Sequence, residues 1–167
     1  LVGELSIIDN VLIGGHIDFK ASGFEQALRL PRARREEKQM REKAEDVLRF
    51  MGIAELKDAL VVGQPYGIRK KVEMARTLMC NPKLIILDEP AAGLNDVETQ
   101  QLADNIYQVR EKYGCTILLV EHDMRLVMSI CDRICAISFG KFLACGTPSE
   151  IQGNAQVQEA YLGEKEE

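Results

Sequence analysis

Asp88 and Glu89 stand side by side at the end of an unbroken apolar run, Leu84-Ile-Ile-Leu87, and Pro90 follows them directly. Neighbouring residues of a strand project to opposite faces, so the two acids can divide their work, one holding a metal ion and the other a water. A second apolar run, Thr116-Ile-Leu-Leu-Val120, also finishes in polar residues, Glu121, His122 and Asp123. Acids of this kind are what nucleotide hydrolysis requires: one near the phosphates with Mg²⁺, one to orient the nucleophile. A histidine at the same edge is placed to touch a phosphate.

A third stretch, Gln64-Pro-Tyr-Gly-Ile68, stands before a segment of helical periodicity, Val72, Ala75 and Leu78. Gly67 just ahead of that helix would let backbone N–H groups approach a ligand, and a helix N-terminus favours an anion there.

The elements that position these residues follow from hydrophobic pattern and punctuation. An apolar run without polar interruption predicts a strand buried on both faces, as in parallel sheets, where ligands gather at the carboxyl ends. Between the two runs, Asp96 caps a helix with Leu102, Ile106, Val109 and Tyr113 on its inner face, ending at Gly114. Strand, helix and strand of this length make a parallel crossover, which brings His122 to the edge that carries Asp88 and Glu89.

Upstream, Ser6 with Asp9 predicts a short helix from about Ile7, stopped by Gly14-Gly15, and residues 18–24 read as loop. Met40, Ala44, Val47, Leu48 and Met51 recur at helical spacing within a helix from Pro31 to Met51, with Gly52 as its cap. The basic and acidic run over residues 32–38 is its solvated face. Downstream, Arg133–Ser138 and Phe142–Ala144 form a hairpin about Gly140-Lys141. Thr147-Pro-Ser-Glu150 is a capping box opening a helix, Ala155–Leu162 is a further short helix, and the last residues, 164–167, fray.

The 167 residues suit one domain, and their 46% hydrophobic and 28% charged content is ordinary for a globular protein. A net charge of −5 argues against nucleic acid as a partner. No apolar run reaches the roughly 18 residues needed to span a bilayer. The five cysteines are odd in number and form no CxxC pair, which fits a reducing compartment better than a disulfide framework. The first residue is Leu1, inside what looks like running protein, so an incomplete chain is expected.

Taken in order, these features resemble the ATP-binding subunits of ABC transporters over essentially the whole chain. Gln64-Pro-Tyr-Gly-Ile68 resembles the signature loop, Arg69 to Leu78 the helix behind it, Leu84 to Glu89 the Walker B strand, Gly93-Leu-Asn95 the D-loop, and His122 the switch histidine. Within the family, Glu89-Pro-Ala-Ala-Gly-Leu-Asn95, Val120-Glu-His-Asp-Met124 and the C-terminal Gly146-Thr-Pro-Ser-Glu-Ile-Gln-Gly-Asn154 are similar to branched-chain amino acid importers.

The resemblance implies an α/β fold: a P-loop NTPase-like ABC nucleotide-binding domain with a parallel sheet, lacking its N-terminal part. Residues 1–80 would form an α-helical subdomain, 81–146 the parallel α/β core, and 147–167 a C-terminal helical extension. It also implies ATP and Mg²⁺ as cofactors, with Asp88 on the metal, Glu89 as general base and His122 at the γ-phosphate. Pro65, Tyr66, Gly67 and Ile68 would close over ATP held by a second ATPase subunit, and Asn95 would carry signals between subunits. Membrane permease subunits and a solute-binding protein would be further partners, and the chain would sit at the cytoplasmic face of the membrane. Two alternatives remain open: the ATPase of a lipid or lipopolysaccharide exporter, and a non-catalytic module that regulates a full subunit.

Four departures from the family pattern stand out. Gln64 replaces leucine, Pro65 replaces a serine whose hydroxyl and N–H would meet phosphate, Ile68 replaces glutamine, and Asn95 stands where many members have Asp. The 167 residues also contain no GxxxxGK followed by Ser or Thr, since Gly140-Lys141 precedes Phe142. Backbone donors and the lysine of such a loop cradle the phosphates, so the chain alone is expected to be inactive. Without the strands of a missing front, apolar sheet edges should be exposed.

Overall fold

The computed structural model describes residues 1–19, 28 and 30–162. The predicted loop beyond residue 19 and the fraying end lie outside the described residues.

Among the described residues, three α-helices build the front of the chain. α1 (Ile7–Gly14) starts at Ser6, whose Oγ accepts the Asp9 N–H at 3.2 Å, and a short 3₁₀ turn (His16–Asp18) follows, reaching the first residue of the expected loop. α2 (Pro31–Phe50) has Pro31 in its first turn and buries Met40, Ala44, Val47 and Leu48; Gly52 leaves it at φ 68°, a backbone state that glycine adopts without steric cost. α3 (Tyr66–Leu78) lays Val72, Ala75 and Leu78 against the same interior. Asn10 is fully buried yet satisfied, its amide donating to the carbonyls of Val2, Leu5 and Ser6.

β1 (Leu84–Asp88) and β2 (Thr116–Val120) pair in parallel, Leu84 opposite Thr116 and Asp88 opposite Val120. α4 (Asp96–Tyr113) is the crossover, and it buries Ala103, Ile106 and Val109, while Leu102 and Tyr113 are only partly covered. Its N-cap is Asn95 rather than Asp96. Asn95 Oδ1 accepts the Glu98 N–H at 3.0 Å and Glu98 Oε2 accepts the Asn95 N–H at 3.0 Å, a reciprocal pair that the residue one place later is too far along to make.

The expected burial of β1 on both faces is not found. Ile85 is 2% exposed and rests on the helices, but Leu84, Ile86, Leu118 and Val120 are each about half exposed on the opposite face. Helices cover one side of the strand pair, and among the described residues nothing covers the other. An apolar run reports only that both faces avoid water in some context, not which segment supplies the cover.

A helix without a counterpart in the sequence reading, α5 (Met124–Ile130), follows β2 and is capped by Asp123, whose carboxylate accepts the Arg125 and Leu126 N–H groups. β3 (Ile134–Ser138) and β4 (Lys141–Gly146) make an antiparallel hairpin separate from the parallel pair. The turn is Phe139-Gly140, both at positive φ (47° and 74°), one residue earlier than expected, and Lys141 already belongs to the strand. α6 (Pro148–Gln152) has the predicted capping box between Thr147 and Glu150, and α7 (Ala155–Leu162) closes the description.

Two apolar clusters result. The larger joins α1, α2, α3, Ile85 of β1, Ile106 and Val109 of α4, and Cys115. The smaller joins Val127, Ile134, Ala136, Ile151 and Val157, tying the C-terminal helices to the hairpin.

Candidate functional site

Parallel pairing fixes the first group of residues. With Asp88 opposite Val120, the chain leaves both strands at the same edge, and Glu89 N–H donates to Val120 O at 2.9 Å across the gap. His122 Nδ1 then stands 3.7 Å from Glu89 Oε1. Both side chains are more than half exposed, so they face solvent where a ligand can reach them. Asp88 ends β1 and is exposed as well.

Glu89 sits at φ 43°, in the left-handed region that a side chain with a Cβ rarely occupies. Such a conformation costs about 1–2 kcal/mol. It is held by the bond to Val120 on one side and by the Ala92 N–H donated to Glu89 O at 3.1 Å on the other. Strain of this kind concentrates where a side chain must be aimed.

Glu121 is a residue to which the sequence pattern assigns no role. Its side chain is 1% exposed, and its carboxylate bridges the two loops: Oε1 accepts the Ala91 N–H at 2.8 Å, and Oε2 accepts the His122 N–H at 3.1 Å. The same Oε2 lies 3.8 Å from His122 Nδ1. A buried carboxylate persists only when its charge is met by donors, and here backbone N–H groups supply them. The one available signal was an acid between a strand end and His122; its burial depends on loop contacts that spacing alone does not reveal.

The second group is the start of α3. Pro65 is the N-cap, so Gly67 lies inside the first turn and not ahead of the helix as expected. Arg69 N–H donates to Pro65 O at 3.1 Å, the first bond of the helix, and no side chain caps the preceding donors. Tyr66, Gly67 and Ile68 therefore present N–H groups that the helix itself does not satisfy. A Cβ built on Gly67 would meet nothing nearer than Glu98 Oε1 at 3.8 Å, and its φ is not positive. Neither backbone nor packing within the chain demands glycine there.

Pro65, Gly67 and Ile68 share a cavity of about 350 Å³ with Leu94 and Glu98, so the start of α3 and the loop before α4 face one another. The Asn95 side chain is committed to its capping box. No hydrogen bond or ion pair among the described residues joins this group to Asp88, Glu89 and His122. The candidate residues thus fall into two groups, one at the end of β1 and β2 and one at the start of α3.

Among the described residues no three potential metal ligands cluster, and no helix is long and apolar enough to cross a membrane. Cys131 caps α5 and Cys135 lies in β3.

The chain is similar to known proteins along nearly its whole length. The profile described as ABC transporter matches residues 10–92, and that described as branched-chain amino acid ATP-binding cassette transporter matches residues 143–167. The high-affinity branched-chain amino acid transport ATP-binding protein LivG of Salmonella typhimurium is 40% identical over 164 residues, covering 98% of this chain and 64% of LivG. The lipopolysaccharide export system ATP-binding protein LptB of Haemophilus influenzae is 35% identical over 127 residues, covering 76% of this chain and 52% of LptB. The ADP conformation of MJ1267, an ATP-binding cassette of an ABC transporter, superposes with a TM-score of 0.77 at 28% identity, covering 98% of this chain and 65% of MJ1267. The chain spans less than two-thirds of the length of each of these relatives. By sequence and by fold, the chain belongs to the ABC transporter family of ATP-binding proteins.

Proposed function

We propose that this chain is the part of a transporter ATPase that supplies the hydrolytic residues, and that the whole protein couples ATP hydrolysis to import of branched-chain or related amino acids. The observation that carries the hydrolytic reading is the 3.7 Å approach of His122 Nδ1 to Glu89 Oε1, beside Asp88, at one end of two parallel strands.

Glu89 is the general base: its exposed carboxylate, aimed by the left-handed backbone, takes the proton of a water attacking the γ-phosphate. His122 donates a hydrogen bond to the charge that develops on that phosphate. A single acid such as Asp88 does not make a metal cage, which suits Mg²⁺, an ion that keeps several waters and takes phosphate oxygens as ligands. Mg²⁺ bound near Asp88 would neutralise charge on the phosphates. The N–H groups of Tyr66, Gly67 and Ile68, after Pro65, close over ATP held by a second subunit. With no hydrogen bond or ion pair among the described residues joining the two groups, two subunits complete one another's sites, and closure of the pair is the step that drives transport. Asn95 contributes as the cap that fixes the loop between the subunits.

Residues 1–80 are the unit that meets the membrane permeases, 81–146 the catalytic core, and 147–167 an extension typical of the importer branch. A solute-binding protein would deliver the amino acid from the other side of the membrane. The half-exposed face of β1 and β2 supports the view that a segment bearing the P-loop packs there in the whole protein.

The cargo assignment rests on the match of residues 143–167 to the branched-chain profile and on an alignment to LivG that runs through 164 residues, against 127 for LptB. Its test is uptake of labelled leucine, isoleucine and valine by cells carrying a P-loop-bearing form of the protein with its permeases. ATP-dependent uptake of these amino acids is expected; export of lipopolysaccharide in place of uptake would overturn the importer reading. Purified residues 1–167 are expected to show no Mg-ATP turnover.

A further inference from the structure

Cys135 and Cys145 are direct partners across the β3–β4 ladder, both exposed, with their Sγ atoms 2.6 Å apart. We propose that they form a reversible dithiol/disulfide site, modified by small disulfide oxidants of the glutathione class.

The geometry is favourable before any movement of the backbone. Directly opposed residues of an antiparallel pair have Cα atoms about 4.5–5.5 Å apart. That falls within the range of about 4.4–6.8 Å that a disulfide spans. Ile134 opposite Gly146 and Ala136 opposite Ala144 flank the cysteines in regular register, and the backbone irregularity falls between Ala136 and Ile137, on the turn side of both pairs. Neither thiol is buried, so an oxidant can reach the pair. The remaining cysteines lack this arrangement: Cys115 is buried, Cys131 is half-buried and ends α5, and Cys80 donates to Gly14 O at 2.8 Å.

The two thiols differ in reactivity. The Cys135 thiol donates to Cys145 Sγ, and the Arg133 guanidinium lies 3.8 Å from the same sulfur; these donors hold the Cys145 thiol below its ordinary range. The same hydrogen bond raises Cys135. Cys145 is therefore the thiolate that attacks first. It displaces one thiolate from the oxidant and leaves a mixed disulfide on Cys145. Cys135, losing its proton to solvent, attacks Cys145 Sγ and expels the second thiolate. Across both steps, the protein dithiol and one small disulfide become one protein disulfide and two small thiols, with two electrons passing to the oxidant.

The product locks the hairpin on which the C-terminal helix rests, since the Tyr161 hydroxyl donates to Ile137 O on β3. This proposal is independent of the transport reading, because it concerns only residues 133–145 and needs no nucleotide.

The test is to equilibrate the purified 167-residue chain with oxidised and reduced glutathione over a range of ratios. Free thiols are then alkylated, and the chain is digested and mapped by mass. A peptide pair linking Cys135 to Cys145 is expected, lighter by two hydrogen atoms, formed within one chain and lost on treatment with dithiothreitol. Cys145→Ser is expected to abolish the link and Cys135→Ser to stop at a glutathione adduct on Cys145. Pairing of either residue with Cys80, Cys115 or Cys131 instead, linkage only between chains, or full alkylation of both thiols at every ratio would each overturn the proposal.

Discussion

Glu121 joins the backbone N–H of Ala91, two residues beyond Glu89, to the backbone N–H of His122 through one buried carboxylate. The distance between the proposed base and the proposed phosphate-binding histidine is thus set by a residue that itself faces away from solvent.

Glu121→Ala should therefore destabilise the fold by about 1–3 kcal/mol, because it removes a buried charged acceptor from the Ala91 and His122 N–H groups. Urea unfolding of the two chains measures this. Glu121→Gln, which keeps one acceptor oxygen, should cost less, and amide exchange at Ala91 and His122 should speed up in both variants.

Asn95→Ala removes the reciprocal cap of α4 and should cost about 1 kcal/mol. Chemical unfolding provides the measurement. Asp96→Ala, at the position that the sequence pattern favoured, should cost less, since its side chain takes no part in the cap.

Gly114 ends α4 at φ 59°, with open space where a Cβ would stand. Gly114→Ala should destabilise by about 1 kcal/mol through backbone strain alone. A loss well above that, read from the same unfolding curves, would point to a clash that the structure does not contain.

Glu150 is held below the usual carboxylate range, first by the Thr147 N–H at 2.8 Å and then by the Thr147 hydroxyl. A depressed folded-state value means that the contribution is fully present above the unfolded value of about 4.3 and is lost as pH falls through the folded one. Wild type should therefore lose more thermal stability than Glu150→Gln between neutral pH and pH values below about 4. Equal losses would contradict the role of that cap.

The parallel strand pair and most helix limits were legible because each rests on local pattern: apolar runs ended by Pro90 and by polar residues, a capping box at Thr147, glycines at 52 and 114. The convergence of Glu89 and His122 was legible for a topological reason, since a crossover of this length returns the chain in the same direction. What escaped was short or depended on contact. α5 spans seven residues, too few for a period to emerge. Asn95 and Asp96 are both competent caps, and only the reach to Glu98 separates them. Glu121 gains its meaning from the loop after β1, thirty residues away in sequence. The half-open face of β1 is not legible in sequence because an apolar run does not name its partner. The opposed cysteines likewise became visible only when the register was known.

The most direct test of the hydrolytic account is single-turnover hydrolysis of Mg-ATP by a P-loop-bearing form of the protein, wild type against Glu89→Gln. The account predicts retained ATP binding with hydrolysis slowed by about 10²- to 10⁴-fold, the usual contribution of a general base. Hydrolysis at the wild-type rate in Glu89→Gln would contradict it.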